Sequence, residues 1–138
     1  MQLLEETLHV GTEAFLASDS PNGRWSTYFE DDGETGYFYA WDLELPDNNI
    51  LDALHIYNVS TVVDRDRPSI VQIVWSAEGA KCALLINRFP HAMFDFEAKR
   101  GYCRTSFPKS HKASCAGWEQ SDHSWSDEAA SWIQLGNL

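Results

Sequence analysis

Apolar and polar side chains alternate with a period of two along much of this chain, which predicts β-strands. The clearest example surrounds an acidic turn. Residues 25–29 contain strand-forming side chains, and residues 37–41 are aromatic on both faces of a two-residue period. Between them lie four acids and two glycines, Gly33 and Gly36, which suit positive-φ turn positions. We therefore predict a β-hairpin over residues 24–43.

Further strands are predicted on both sides of this hairpin. A first strand over residues 7–17 has a bend at Gly11, and Asn22-Gly23 forms the turn that opens the hairpin. Residues 70–75 are apolar on both faces, as expected for a central strand covered on two sides. Residues 82–86 pair with it, and residues 92–105 form another hairpin.

Two segments show helical patterns. Ile50, Leu51 and Leu54 fit one or two helical turns, although residues 55–59 also fit a strand, so 49–58 is left open between the two. In residues 124–134, Ser124 and Asp127 resemble a capping box, and Ala129, Trp132 and Ile133 form an apolar face. The overall prediction is one α+β domain over 1–138. It has an antiparallel twisted sheet or partly open barrel of about six strands, a short helix, and a C-terminal helix packed on the sheet.

Composition favours a folded protein with an acidic surface. The 138 residues are 43% hydrophobic and 13% aromatic, and the net charge is −11. Residues 1–69 hold 14 acidic and 3 basic residues, whereas residues 70–138 hold seven of each. Phosphate backbones repel such a chain, so nucleic-acid binding is not expected, whereas a basic protein would be attracted.

Cysteine use and hydropathy indicate the compartment. Three cysteines without a pairing motif are typical of a reducing interior. The apolar start of the chain is interrupted at once by Glu5 and Glu6, and no window approaches a membrane span. We expect a cytoplasmic protein that does not enter a membrane.

The acidic turn is the first candidate site. Glu30, Asp31, Asp32 and Glu34 offer oxygen ligands for a divalent cation, but they lack the alternation of a calcium loop. They would also serve as an acid/base pair, yet no nucleophile accompanies them. We favour a solvated turn and predict an interaction surface formed by the following residues: Asp31, Asp32, Glu34, Tyr37 and Tyr39.

Two further sets of residues bear on metal binding and catalysis. Cys103, His111, Cys115 and His123 are a weak zinc alternative without short-knuckle spacing, so no metal and no cofactor are predicted. His55 and Tyr57 would line a cleft if the protein were a small-molecule-binding or metal-dependent enzyme. A histidine next to apolar residues is more often part of the core. The chain shows no nucleophile elbow, phosphate loop or dinucleotide fingerprint.

The aromatic residues allow two interpretations. Tyr and Trp dominate binding hot spots, so one group of rings fits an interaction patch, whereas core packing explains most of them and is favoured. Because both faces of residues 37–41 are aromatic, one face is expected to be exposed or covered by a partner. The rings concerned are Tyr28, Tyr37, Tyr39, Trp41 and Trp75.

Two stretches carry a family resemblance. The motif FEDDGETGYFYA at residues 29–40, followed by ILDALHIYNV at residues 50–59, resembles a small bacterial domain-of-unknown-function family, number 2251. The resemblance covers most of the chain. It implies a bacterial protein of no assigned activity and carries over no site residues.

Three hypotheses about function follow. The first is a non-catalytic interaction module, of the immunity or antitoxin kind, whose acidic half binds a basic partner such as a nuclease toxin. The alternative is the enzyme with a cleft near His55, Tyr57 and the acidic turn. A homodimer joined through its acidic and basic halves, or through a free sheet edge, is the third.

Overall fold

The computed structural model describes residues 2–45, 50–108, 118 and 122–133. These residues form two antiparallel sheets. The first sheet has the order β1-β6-β7-β8-β9 and the second has the order β2-β3-β4-β5. The strands are β1 (Gln2–Leu8), β2 (Ala14–Asp19), β3 (Trp25–Asp31), β4 (Thr35–Asp42), β5 (Ile50–Asn58), β6 (Ser69–Trp75), β7 (Lys81–Ile86), β8 (Phe89–Asp95) and β9 (Arg100–Cys103).

The two sheets pack face to face around one apolar core. Phe38 of the second sheet stacks on Phe94 of the first, with ring centroids 5.1 Å apart, and both side chains are fully buried. The indole of Trp75 also reaches across, because its Nε1 donates a hydrogen bond of 2.9 Å to Ser18 Oγ. Burial of such large rings is the main contribution to the stability of the sandwich.

The predicted hairpin and central strand are present. Strands β3 and β4 pair in register, with Tyr28 opposite Tyr39 and Phe29 opposite Phe38. Strand β6 is internal to the first sheet and buried on both faces. Val71 and Ile73 of this strand contact the sandwich core, whereas Val74 packs in a second cluster against residues of the C-terminal segment, 122–133.

The α+β prediction is wrong, because nearly all the regular secondary structure of the described residues is β-strand. They contain no α-helix, and the one helical element among them is a three-residue 3₁₀ turn, Val59–Thr61. A single twisted sheet or partly open barrel of about six strands is also wrong, since the residues that the structure describes form nine strands in two sheets. No helix in the described part of the chain is long and apolar enough to cross a membrane.

The short helix predicted at 49–55 is replaced by strand β5. Leu51 and Leu54 fit a helical spacing only because β5 is buried on both faces over most of its length, so its apolar residues do not alternate. Asp52 is fully buried within this run and binds His123, 71 residues away in the sequence. No local pattern reveals such a partner.

The C-terminal helix is the other correction. Residues 127–132 form successive turns, although Ser126 Oγ accepts a hydrogen bond from Ala129 N as a cap would. Asp127 does not complete a capping box, because its carboxylate accepts the indole N–H of Trp125 at 2.9 Å. The apolar residues predicted to dock still pack on the outer face of the first sheet: Ala129, Trp132 and Ile133.

The predicted first strand, 7–17, is two strands in different sheets. Strand β1 ends at Leu8 and β2 begins at Ala14. Gly11 lies in the turn between them with φ of +91°, a conformation that side chains other than glycine rarely adopt. The bend predicted at this glycine therefore separates the two sheets.

Candidate interaction surface

The outer face of the second sheet carries a set of aromatic side chains. Alternation along β3 and β4 places Phe29 and Phe38 in the core, so their neighbours Tyr28, Tyr37 and Tyr39 point to the opposite face. Seven rings belong to this surface, which we call the aromatic face: Phe15, Tyr28, Tyr37, Tyr39, Trp41, His55 and Phe107.

These rings form a continuous chain across all four strands. Tyr28 lies 4.8 Å from Phe15 and 4.5 Å from Tyr39, measured between ring centroids. Tyr39 is followed by Tyr37 at 5.9 Å. His55 then contacts Tyr37 at 5.4 Å and Phe107 at 5.6 Å. Trp41 meets Tyr28 edge-on at 5.4 Å. Such ring pairs orient one another and stiffen the surface.

The aromatic face is partly open to solvent. Phe15 is 63% exposed and Phe107 is 52% exposed, and the three tyrosines are half-buried. Among the described residues, the loop that carries Phe107 is the element that crosses this face, with His55 N donating to Phe107 O at 2.9 Å. The outer face of the first sheet differs, because the C-terminal segment covers it.

Two buried polar atoms in the aromatic face are unsatisfied. Trp41 Nε1 and His55 Nδ1 are inaccessible to solvent and have no hydrogen-bond partner of normal geometry within the described ranges. The other ring nitrogen of His55 lies 3.1 Å from Asn58 Oδ1. An unsatisfied buried donor or acceptor costs about 1–3 kcal/mol. Tyr28 is close enough to Trp41 for this contact to oppose in part the rise in the pKa of Tyr28 that burial causes.

Carboxylates lie within and beside the rings. Glu30 occupies the middle of one cross-strand row, opposite Phe15 on β2 and opposite Tyr37 on β4. A groove of about 340 Å³ next to Phe15 is also lined by Glu13, Glu30 and Asp32. The surface thus combines flat apolar rings with negative charge.

The pKa of Tyr39 provides a test of this geometry. Burial is the main cause that raises it from 10.0 to about 12, and the neighbouring Tyr28 and Glu30 add to the shift. Its neutral form therefore stabilises the fold below pH 10, and this contribution is lost as the pH rises toward 12. We expect the difference in phenolate absorbance between the wild type and Tyr39→Phe to develop near pH 12. Ionisation of Tyr39 near pH 10 would contradict the packing described here.

Two adjacent carboxylates of the acidic turn point in opposite directions, Asp31 into the protein and Asp32 into solvent. Asp31 is only 1% exposed and accepts three hydrogen bonds, from Gly11 N, Gly33 N and Tyr57 OH, at 2.6–2.8 Å. Asp32 is exposed and accepts the backbone N–H groups of Thr35 and Glu34, which lower its pKa. Of the predicted interaction residues, Asp32 and Glu34 reach the surface at the turn, whereas Asp31 holds the turn together from inside.

His55 and Tyr57 lie on opposite faces of the second sheet. The pairing of β4 with β5 shifts by one residue between Gly36 and Tyr37, so Tyr57 pairs with Gly36 and turns inward. Its ring covers Gly36, where a Cβ would lie 2.7 Å from the ring, and its centroid is 6.1 Å from that of Phe29. Gly36 was predicted to serve a turn. In the structure it lies in β4, and its lack of a side chain makes room for the Tyr57 ring. The structure does not bring the predicted cleft pair together.

The alternative zinc set is only partly within the described residues, because His111 and Cys115 lie outside them. Cys103 is buried in β9. His123 Nε2 lies 2.9 Å from both carboxylate oxygens of Asp52, and its Nδ1 donates to the carbonyl of Pro108. In the described part of the chain, no three His, Cys, Asp or Glu side chains are grouped as metal ligands.

Sequence reasoning missed three contributors. Phe15 was predicted to share one strand with Leu8, and its neighbours Ala14, Leu16 and Ala17 are also apolar, so no local alternation places its ring on the outer face. Phe107 reaches the aromatic face through the loop after β9, for which the sequence holds no local signal. The Asp52–His123 pair is likewise invisible, because the partners are far apart in the chain. Trp75, one of the candidate patch residues, belongs to the core.

Comparison with known proteins places the chain in a family. An uncharacterized protein of Haemophilus influenzae is 39% identical over 107 residues, which cover 77% of this chain and 66% of that protein. The match thus spans just under two thirds of the relative's length. No solved structure matches the chain. The sequence profile described as an uncharacterized protein conserved in bacteria (DUF2251) matches residues 8–134, so the chain belongs to this bacterial family, as its motifs predicted.

Proposed function

We propose that this protein is a non-catalytic interaction module that binds a basic protein partner through the aromatic face. The observation that carries the proposal is the seven-ring surface on the second sheet, which the described residues leave partly exposed and which has Glu30 between two of its rings in a cross-strand row. Tyr and Trp provide large rigid contact areas at low entropic cost and are enriched in binding hot spots. Exposed apolar patches rimmed by polar groups mark interaction sites.

The distribution of charge supports a basic partner. Residues 14–58, which include the whole second sheet, contain nine acidic residues and one arginine. Residues 2–8 and 69–103, which include the five strands of the first sheet, contain five acidic and four basic residues. Most of the net negative charge therefore lies in the second sheet, which carries the aromatic face. A positively charged partner would be attracted to it, and association would slow as salt rises.

Charge also argues against a symmetric dimer through this face. Two copies would bring together two patches that each contain Glu13, Glu30 and Asp32, and like charges across an interface are unfavourable. A separate basic protein avoids this repulsion. An immunity- or antitoxin-like role, with a basic toxin as the partner, is the form of this function that we propose.

The test is capture of partners from a lysate of the bacterium that encodes the protein. The immobilised wild type is compared with a Tyr28→Ser/Tyr39→Ser variant and with Phe89→Ser, which removes an exposed aromatic ring from the first sheet. We expect the double variant to lose about 30-fold in affinity for a stoichiometric partner, the effect of a typical hot spot, while Phe89→Ser binds normally.

Three measurements decide the outcome. Circular dichroism confirms that each variant is folded, and binding is repeated at low and moderate salt. Support requires both the loss in the double variant and weaker binding at moderate salt. Equal capture by all three proteins, or no stoichiometric partner for the wild type, would refute the proposal.

A further inference from the structure

We propose that the aromatic face recognises arginine, in preference to lysine, on its partner. This inference rests on the proposed function and specifies the chemistry of the bound groups. It is drawn from the position of Glu30 between two rings and from the way in which this chain binds its own arginines.

The row that contains Glu30 has the layout of a guanidinium site. Strand register places Glu30 between Phe15 and Tyr37, and the adjacent groove of about 340 Å³, which Phe15 and Glu30 line, is large enough for a side chain. A guanidinium that enters this groove stacks its plane on a ring while its N–H groups bind the carboxylate. Its planar fork allows both contacts at once.

The same combination already occurs at Arg24. Its Nε and Nη2 donate to the two carboxylate oxygens of Asp42 at 3.1 and 3.2 Å. Its guanidinium carbon lies 4.3 Å from the centroid of the Trp25 ring. One arginine therefore binds a carboxylate in a bidentate manner and at the same time stacks over the ring of a tryptophan.

Arg104 shows the aromatic part of this recognition on the first sheet. Its guanidinium carbon lies 4.5 Å from the centroid of Phe89 and 3.9 Å from that of Trp125, while Nε donates to Pro90 O at 2.9 Å. Two rings thus flank one guanidinium. The rings of the aromatic face are also partly exposed, and no arginine of the described residues stacks on them.

The acids of the groove have no basic partner within the described ranges. The described residues form ion pairs between Arg24 and both Asp42 and Glu44, and between His123 and Asp52. Glu13, Glu30 and Asp32 take part in none of them. Lysine would neutralise these charges but, as a compact and strongly hydrated ammonium, would stack less well on the rings. The rings therefore provide the preference for arginine, and the acids provide the attraction that both cations share.

The test uses two labelled peptides of equal length and charge, one alternating glycine with arginine and the other glycine with lysine. Their affinities for the wild type are measured by fluorescence anisotropy at low salt. We expect the arginine peptide to bind about threefold more tightly or better, the advantage of exposed cation–π contacts. In Phe15→Leu/Tyr37→Leu the two peptides should bind equally. In Glu30→Gln both should bind more weakly.

Matched controls remove the same groups elsewhere. Glu128→Gln lies on the C-terminal segment, which packs on the outer face of the first sheet, and Phe89→Leu lies on β8. Both should retain the wild-type affinities and the arginine preference.

The possible outcomes separate the two proposals. Equal binding of both peptides to the wild type, with loss in Glu30→Gln, refutes arginine recognition but is consistent with a basic partner. An arginine preference that survives in Phe15→Leu/Tyr37→Leu, or no binding of either peptide, also refutes arginine recognition. The proposed function itself stands or falls with the lysate capture.

Discussion

Replacing His123 with alanine is expected to lower the free energy of unfolding by about 3–5 kcal/mol, the usual cost of breaking a buried ion pair. His123 and Asp52 are 1% and 0% exposed. Both ring nitrogens of His123 lie within hydrogen-bonding distance of oxygen atoms, Nδ1 of the Pro108 carbonyl and Nε2 of the Asp52 carboxylate. Its loss leaves the buried Asp52 carboxylate without its side-chain partner and releases the C-terminal segment from β5.

The surroundings of Asp52 leave no room for another group to replace His123 as its partner. A side chain on Gly101 would place its Cβ 2.6 Å from Asp52 Oδ2, so β9 is packed directly against the carboxylate. Besides His123, Ala53 N donates to Asp52 Oδ1 at 3.0 Å. Urea unfolding measures the effect, and His9→Ala, at an exposed position, is the control. A loss for His123→Ala as small as that for His9→Ala would show that the pair does not hold the fold.

Asp31→Ala is expected to destabilise the protein by about 3 kcal/mol or more, because it leaves three donors without their acceptor. The carboxylate joins the turn before β2, the β3–β4 turn and the hydroxyl of Tyr57. Asp31→Asn should be intermediate, since an amide keeps one acceptor oxygen.

The neighbouring residue provides the control for this prediction. Asp32→Ala removes an exposed carboxylate that binds only the backbone and side chain of its own turn, so its effect on thermal or urea unfolding should be much smaller. If the two alanine variants were equally stable, the buried network around Asp31 would not contribute as described. Interaction experiments on the acidic turn should therefore change Asp32 and Glu34, and leave Asp31 intact.

Local signals in the sequence predicted the parts of the fold that depend on neighbouring residues. The β3–β4 hairpin follows from alternation and from Gly33, whose φ of +96° needs a glycine in the turn. Strand β6 follows from an apolar run covered on both faces. In each case the information lies within a few residues of the element itself.

The features that were not predicted depend on distant partners. The spacing of apolar residues in β5 fits a helix, because the sequence does not show that Asp52 is buried with His123 as its partner. The C-terminal turns also fit a helical pattern, because the sequence does not show that Asp127 accepts a hydrogen bond from Trp125. The aromatic face was anticipated in part, because Tyr28, Tyr37, Tyr39 and Trp41 were recognised as patch candidates. Which face they occupy, and that Phe15 and Phe107 complete the surface, depends on how the two sheets pack. The same applies to Tyr57, which a one-residue shift turns inward.

The measurement that tests the central claim most directly is hydroxyl-radical footprinting of the protein, free and bound to its captured partner. Aromatic side chains are oxidised where solvent reaches them, and mass spectrometry locates each modified ring. If the partner docks on the aromatic face, oxidation of Phe15, Tyr28, Tyr39 and Phe107 should fall strongly on binding, while Phe89 on the first sheet should be oxidised as before. Unchanged oxidation of the four rings in a complex confirmed to be stoichiometric would contradict the account.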